Sequence, residues 1–327
     1  MQHYSYDAEK VKRWISREKI RKFAVQVPSG LLSYAKKILE EFSEYGDAVL
    51  YGEPSFGACD YPEIENLDVD GVINLGHSEI PGLTKNNKIL FLEMYVNSMP
   101  KHLDALAEKL NRKLGIFTTV PYLKFLPVIS KFLRECGVEV YVGKPENRTV
   151  YEGQVLGCDV SAALAIAPYV DTYLFIGEGD FHPKGVAMRT SKPVFRYHPS
   201  GMLEPLTFNM EQFLRKRFLI ASEIEDVRNV AILVCTKPGQ RRMALALKTR
   251  KILERHGKKV DIIYMNTLTP EKLDYLGYEI IVSTACPRIA LEDFTNYRVK
   301  LLTPQEALLG INECIAYEVD QFQPAHI

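Results

Sequence analysis

Along this chain of 327 residues, short apolar runs of strand length alternate with amphipathic stretches of helix length. That alternation restricts the fold more than any other feature. Neighbouring parallel strands need a long crossover between them, usually a helix, so strand-helix alternation predicts an α/β protein with mostly parallel sheets. The first set has helices over 8–18 and 31–42 and strands over 23–27, 48–51, 71–75 and 89–93. The second has helices over 101–112 and 125–136, strands over 114–118, 138–142 and 172–176, and a short Ala-rich helix before the last strand. In the third, helices over 208–225, 244–256, 270–276 and 305–319 accompany strands over 230–234, 260–264, 278–282 and 299–302. Strand, Pro/Gly loop, helix, strand, loop, strand thus recurs with a period of roughly 110 residues, a usual domain size. The expectation is three structurally repeated α/β units, 1–98, 99–207 and 208–327. One large doubly wound sheet with insertions is the other arrangement the pattern allows.

Charge narrows the partners. Lys and Arg total 41 and Asp and Glu total 41, giving no net charge. Nucleic-acid binding is led by phosphate neutralisation, so a broad nucleic-acid surface is not expected. Met1–Asp7 carries no basic segment leading into an apolar core, and no apolar run approaches the ~18 residues of a membrane span. A cytoplasmic protein without membrane contact is the expectation. Six cysteines in such a setting do not make a disulfide framework.

The cysteines sort by position. Cys136 falls in the last turn of a helix, Cys235 ends an apolar strand and Cys314 falls in the C-terminal helix; each reads as a small buried hydrophobe. Cys59, Cys158 and Cys286 fall in loops, one per unit. Small residues precede each: Gly57-Ala58, Gly157 and Ala285. Ligands of open α/β sheets bind beyond the carboxyl ends of strands, so units facing a common axis would present one thiolate each to a shared central site. Glycine and alanine leave backbone amides accessible to the sulfurs of a bulky cluster. No C-x-x-C spacing is present, and incidental loop thiols explain the same residues. Three thiolates suit either a 4Fe-4S cluster with one iron free of protein or zinc with an open position, and ligation by thiolate alone leans toward iron–sulfur.

Taken together, Gln26-Val27-Pro28-Ser29-Gly30-Leu31, Phe56-Gly57-Ala58-Cys59-Asp60, Gly157-Cys158-Asp159, Gly177-Glu178-Gly179-Asp180-Phe181-His182-Pro183 and Ala285-Cys286-Pro287-Arg288-Ile289-Ala290 resemble the archaeal diphthamide synthase family. The resemblance covers essentially the whole chain. It implies a triplicated α/β fold, a 4Fe-4S cluster on Cys59, Cys158 and Cys286, and S-adenosylmethionine as co-substrate at the remaining iron. It implies cleavage to a 3-amino-3-carboxypropyl radical and 5′-methylthioadenosine, with transfer of the radical to C2 of a histidine on elongation factor 2. A homodimer is also implied; the electron donor is not.

Several further residues fit the zwitterionic methionine end and the adenosine of such a substrate. Arg288 has the fork geometry for a carboxylate, or pairs with Glu292 one helical turn on. Gly239 and Gln240 follow the first strand of the third unit, and Ser29 and Gly30 hold the matching turn of the first; Ser29 also suits a helix N-cap. His77 and Glu178 follow strands, Glu178 as a partner for an ammonium group. His198 reads as structural. Lys237, Arg241 and Arg242 form a basic cluster suited to an acidic partner surface or to a solvated helix start. No phosphate-loop motif is present. Quinolinate synthase shares three units and one cysteine per unit, but the loops match it less well. A metal or redox-sensing module is the non-enzymatic alternative.

Overall fold

A computed structural model describes residues 4–84, 86–110, 113–292, 297–313, 317 and 319–320, with 105 and 108 described by their backbone alone. In chain order the first elements are β1 (Tyr4–Ser5), α1 (Ala8–Glu18), β2 (Lys22–Pro28), α2 (Ala35–Phe42), β3 (Asp47–Ser55), β4 (Gly71–Leu75), β5 (Ile89–Leu92) and β6 (Tyr95–Val96). They are followed by α3 (Asp104–Lys109), β7 (Leu114–Thr118), α4 (Leu126–Glu135), β8 (Val140–Tyr141), α5 (Ser161–Ala165), β9 (Thr172–Ile176), α6 (Phe181–Thr190), β10 (Val194–Tyr197) and β11 (Leu203–Pro205). The last are α7 (Met210–Ser222), β12 (Asn229–Cys235), α8 (Met243–Arg255), β13 (Lys259–Met265), α9 (Pro270–Asp274), β14 (Ile280–Ser283), α10 (Pro287–Leu291), β15 (Lys300–Leu302) and α11 (Pro304–Gly310).

The strands build three larger sheets that repeat one topology. Their orders are β3-β2-β4-β5, β8-β7-β9-β10-β11 and β13-β12-β14-β15. In each, the first strand lies between the second and the third, and the fourth flanks the third. All pairs in these sheets are parallel except β10 with β11. The mixed α/β fold with mostly parallel sheets is therefore as expected. The central strands bury both faces, which explains their near-continuous apolar sequences: every residue of β4, β7, β9 and β14 is buried. Helices cover them with one apolar face each. α1 turns Val11 and Trp14 inward, begins at Asp7, whose carboxylate accepts from the Lys10 amide, and stops at Lys19 in left-handed conformation.

By internal contacts the chain forms two compact units. One comprises 1–156, 160–182 and 192–206; the other comprises 157–159, 183–191 and 207–327. The first holds the sheets built on β2 and β7, the second the sheet built on β12.

Some elements differ from expectation. The helix expected over 31–42 opens as a 3-10 turn, Ser29–Tyr34, before α2. The strand over 138–142 shrinks to β8, and the closing helix stops at Gly310. The sequence suggested neither α6 nor the pair β10 and β11. Pro183 and Gly185 lie inside α6 and obscure its helical pattern, and Pro205 is tolerated because β11 is an edge strand. Asp293 and Cys314 lie outside the described residues. Among the described residues no helix is long and apolar enough to cross a membrane.

Candidate metal-binding loops

Cys59 sits in a loop after β3 that is closed by its own polar groups. The Ser55 hydroxyl donates to the Gly57 carbonyl at 2.9 Å, the Asp60 amide donates to the same carbonyl at 3.0 Å, and the Asp60 carboxylate accepts from the Phe56 amide at 3.2 Å. Beneath the loop, the buried Asn74 of β4 faces Gln26 Oε1 at 3.0 Å, Ser55 Oγ at 3.2 Å and the Asp60 carbonyl at 3.1 Å with its Nδ2. Those acceptors fix which end of the amide is nitrogen, because Oδ1 in that place would meet carbonyl oxygens. Oδ1 therefore accepts from His77 Nδ1 at 2.9 Å, which makes Nδ1 the protonated nitrogen of the neutral ring. Loss of hydration pushes the His77 pKa down to about 4. Cys59 is half-buried beside Ala58, Ile80 and Phe91. A Cβ at position 57 would stand 3.5 Å from its sulfur, so glycine keeps the space beside the thiol open.

Cys158 lies in the crossover between β8 and β9. Upstream, Gln154 accepts from the Val150 and Tyr151 amides at 3.1 Å each and donates to Ser78 Oγ at 2.7 Å, and the Val155 amide donates to the Thr118 carbonyl at 2.9 Å. Cys158 is half-buried and the following Asp159 fully buried.

Cys286 follows β14 and stands at the N-terminal edge of α10, with Pro287 as the first helical residue. Its amide donates to Gln240 Oε1 at 3.3 Å. The two preceding carbonyls are held by Arg242, whose Nε donates to Thr284 at 2.7 Å and whose Nη2 donates to Ala285 at 3.0 Å. Arg242 in turn forms a two-pronged pair with Asp320, at 2.8 and 2.6 Å. Both side chains of this pair are fully buried. The expectation that Arg242 faces a partner or solvent is thus overturned: a guanidinium with four aligned oxygen contacts is stable inside, and that is where this one lies.

The repeated topology shows that the three cysteines are not equivalent. Cys59 and Cys158 follow the second strand of their sheets; Cys286 follows the third. Among the described residues no three His, Cys, Asp or Glu side chains gather closely enough to enclose a single metal ion. A 4Fe-4S cluster distributes its thiolates over separate irons and takes soft sulfur donors; Cys59, Cys158 and Cys286 are half-buried thiols of that kind, and beside Cys59 a glycine leaves space.

The other predicted positions divide. Gln240 and Gly239 are buried in a 3-10 turn after β12, where Gln240 braces the Cys286 loop. Ser29 and Gly30 are exposed at the end of β2; Pro28, not Ser29, occupies the cap position, with no side-chain cap bond. Glu178 pairs with His198 at 3.2 Å. Arg288 is half-exposed and lies 3.6 Å from Glu292. Cys235 is buried, but Cys136 is exposed at the end of α4, where its side chain leaves the apolar face. Asn74, Arg242 and Asp320 were not anticipated as parts of these loops. A polar Asn within the apolar run Val72-Ile73-Asn74-Leu75 was the one available signal.

A model of the diphthamide synthesis protein family matches residues 27–320. The 2-(3-amino-3-carboxypropyl)histidine synthase of Pyrococcus horikoshii is 32% identical over 92% of this chain and 89% of its own length. That of Methanocaldococcus jannaschii is 27% identical over 92% of this chain and 88% of its own. The crystal structure of Dph2 from Pyrococcus horikoshii with a 4Fe-4S cluster superposes with a TM-score of 0.86 at 30% identity, covering 98% of this chain and 94% of that one. With sequence match and fold agreeing along almost the whole length, the chain belongs to the diphthamide synthesis protein family.

Proposed function

We propose that this protein is a 3-amino-3-carboxypropyl transferase that modifies a histidine of elongation factor 2, the first step of diphthamide biosynthesis. The observation that carries it is the near-full-length likeness to Pyrococcus Dph2, whose crystal structure contains a 4Fe-4S cluster. Cys59, Cys158 and Cys286 are the proposed ligands. Their small neighbours and partial burial suit a bulky thiolate-bound group. When bound, the reduced cluster supplies one electron to the sulfonium of S-adenosylmethionine held at its protein-free iron.

The chain's own residues bind and orient. Arg288 exchanges its long contact with Glu292 for the methionine carboxylate, and Glu178 turns from His198 to the ammonium group. Gly239 and Gln240 bring backbone and amide groups beside Cys286; Ser29, Gly30 and the neutral His77 serve the nucleoside end. The units 1–98, 99–207 and 208–327, a homodimeric assembly and a cytoplasmic setting belong to the same proposal.

The test is anaerobic reconstitution, dithionite reduction and addition of S-adenosylmethionine with elongation factor 2. Release of 5′-methylthioadenosine and a mass gain on the factor's histidine are expected. Release of 5′-deoxyadenosine alone, or protein that stays colourless after reconstitution, would overturn the proposal.

A further inference from the structure

The buried pair of Arg242 and Asp320 has no role in the proposed chemistry, and its position asks for one. A buried ion pair is a poor source of net stability, because desolvation cancels most of the attraction. What this pair does have is geometry. Asp320 takes both prongs of the guanidinium, at 2.8 and 2.6 Å, which leaves Arg242 no freedom to rotate. The same guanidinium holds the Thr284 and Ala285 carbonyls. Thr284 is fixed again through its amide and hydroxyl, which donate to the Leu233 carbonyl at 2.9 and 2.8 Å. The Cys286 amide is taken by Gln240. Every backbone polar group from the Thr284 amide to the Cys286 amide, apart from the Ala285 amide, therefore has its direction set from β12, from Gln240 in the turn after it, or from Arg242. The Ala285 amide is met by Ser283 Oγ at 3.3 Å.

We infer that Arg242, locked by Asp320, is a positioning residue that sets the direction of the Cys286 thiol. It rests on the reading of Cys286 as a cluster ligand for its purpose, though not for its geometry. Arg242 and Gln240 together hold the peptide between Ala285 and Cys286, the Ile289 amide donates to the Cys286 carbonyl at 3.1 Å and holds the next peptide, and the Cys286 backbone angles between these two planes set the direction in which its side chain leaves the chain. An arrangement of this kind lets a loop thiol meet a rigid group without ordering on arrival, which is the benefit of a preorganised ligand.

The test compares the full-length wild type with Asp320→Asn and Arg242→Lys. The first substitution keeps the side chain's volume and removes its charge; the second keeps a charge and removes the fork. Before reconstitution, iodoacetamide labelling is followed at each cysteine by peptide mapping. Losing a charge-assisted hydrogen bond should make Cys286 label roughly tenfold faster, with Cys59 and Cys235 unchanged. After anaerobic reconstitution, iron per chain should fall or the electron paramagnetic resonance spectrum of the reduced cluster should change. Unaltered Cys286 labelling in both folded variants overturns the inference. So does faster labelling at Cys59 and Cys235 alongside Cys286, since that is general loosening. Wild-type protein that takes up no iron would sink the cluster reading, while the labelling arm would still judge the clamp.

Discussion

At the scale of single residues, the decisive groups are polar ones inside apolar surroundings, and His77 shows what their environment costs. Its Nδ1 hydrogen goes to Asn74, and its pKa lies near 4, pushed down by burial. Its ordinary value is about 6.5. Between those values the unfolded chain binds a proton that the folded chain does not, so stability rises with pH across this window. It is fully present above about pH 6.5 and lost as pH falls toward 4. Denaturant titrations at pH 7 and pH 5 should show the wild type losing about 1–2 kcal/mol more than His77→Gln, after discounting for partial exposure. Equal losses in the two proteins would show that His77 charges freely in the fold. Asn74 was legible as an anomaly in an apolar strand, but its three acceptors were not, because they come from β2, the last residue of β3 and the Cys59 loop.

Elements were legible where their sequences repeat a period and illegible where tertiary contacts decide. The strands β2, β4, β7, β9, β12 and β14 announce themselves as apolar runs because both faces are buried. The two-residue β8 and the edge strand β11 carry no such run, and α6 hides behind an internal proline and glycine. Gly310, at the end of α11, is another contact that no local pattern reveals. A Cβ there would stand 2.1 Å from the Ala221 carbonyl oxygen of α7. That oxygen belongs to backbone and cannot swing aside. The same helices are joined by Arg217 and Glu306, both fully buried, with Nε donating to Oε1 at 2.6 Å, so separating them also strains an ion pair. Gly310→Ala would gain up to about 1 kcal/mol of helix propensity. The clash should outweigh it, for a net loss of about 1–3 kcal/mol in denaturant unfolding. A neutral or stabilised variant would mean that α7 and α11 part without cost.

For the molecule as a whole, the sequence shows what the three loop thiols share: each stands in a loop behind small residues, one per repeat. Their inequivalence was not legible. Only the strand order shows that Cys286 follows a third strand where Cys59 and Cys158 follow second strands. The spacing has a thermodynamic consequence. Consecutive proposed ligands lie about a hundred residues or more apart in the chain. A group that joins such distant points removes far more freedom from the unfolded chain than one bridging a C-x-x-C turn, by about 4–5 kcal/mol for one cross-link of that length in the chain-entropy account. Where the cluster leaves as the chain unfolds, its binding to the folded state stabilises by mass action instead. Anaerobic reconstitution should therefore raise the thermal midpoint by on the order of 10 °C, and removal of iron by a chelator should reverse it. Cys158→Ala leaves the longest interval of the chain, from Cys59 to Cys286, joined at its ends only, and should keep part of the shift while losing iron. Cys136→Ala, at an exposed helix end, should keep all of it. A wild-type midpoint that does not move on loading would separate the cofactor from the stability of the fold, and an equal shift in Cys158→Ala with full iron content would remove that residue from the ligand set.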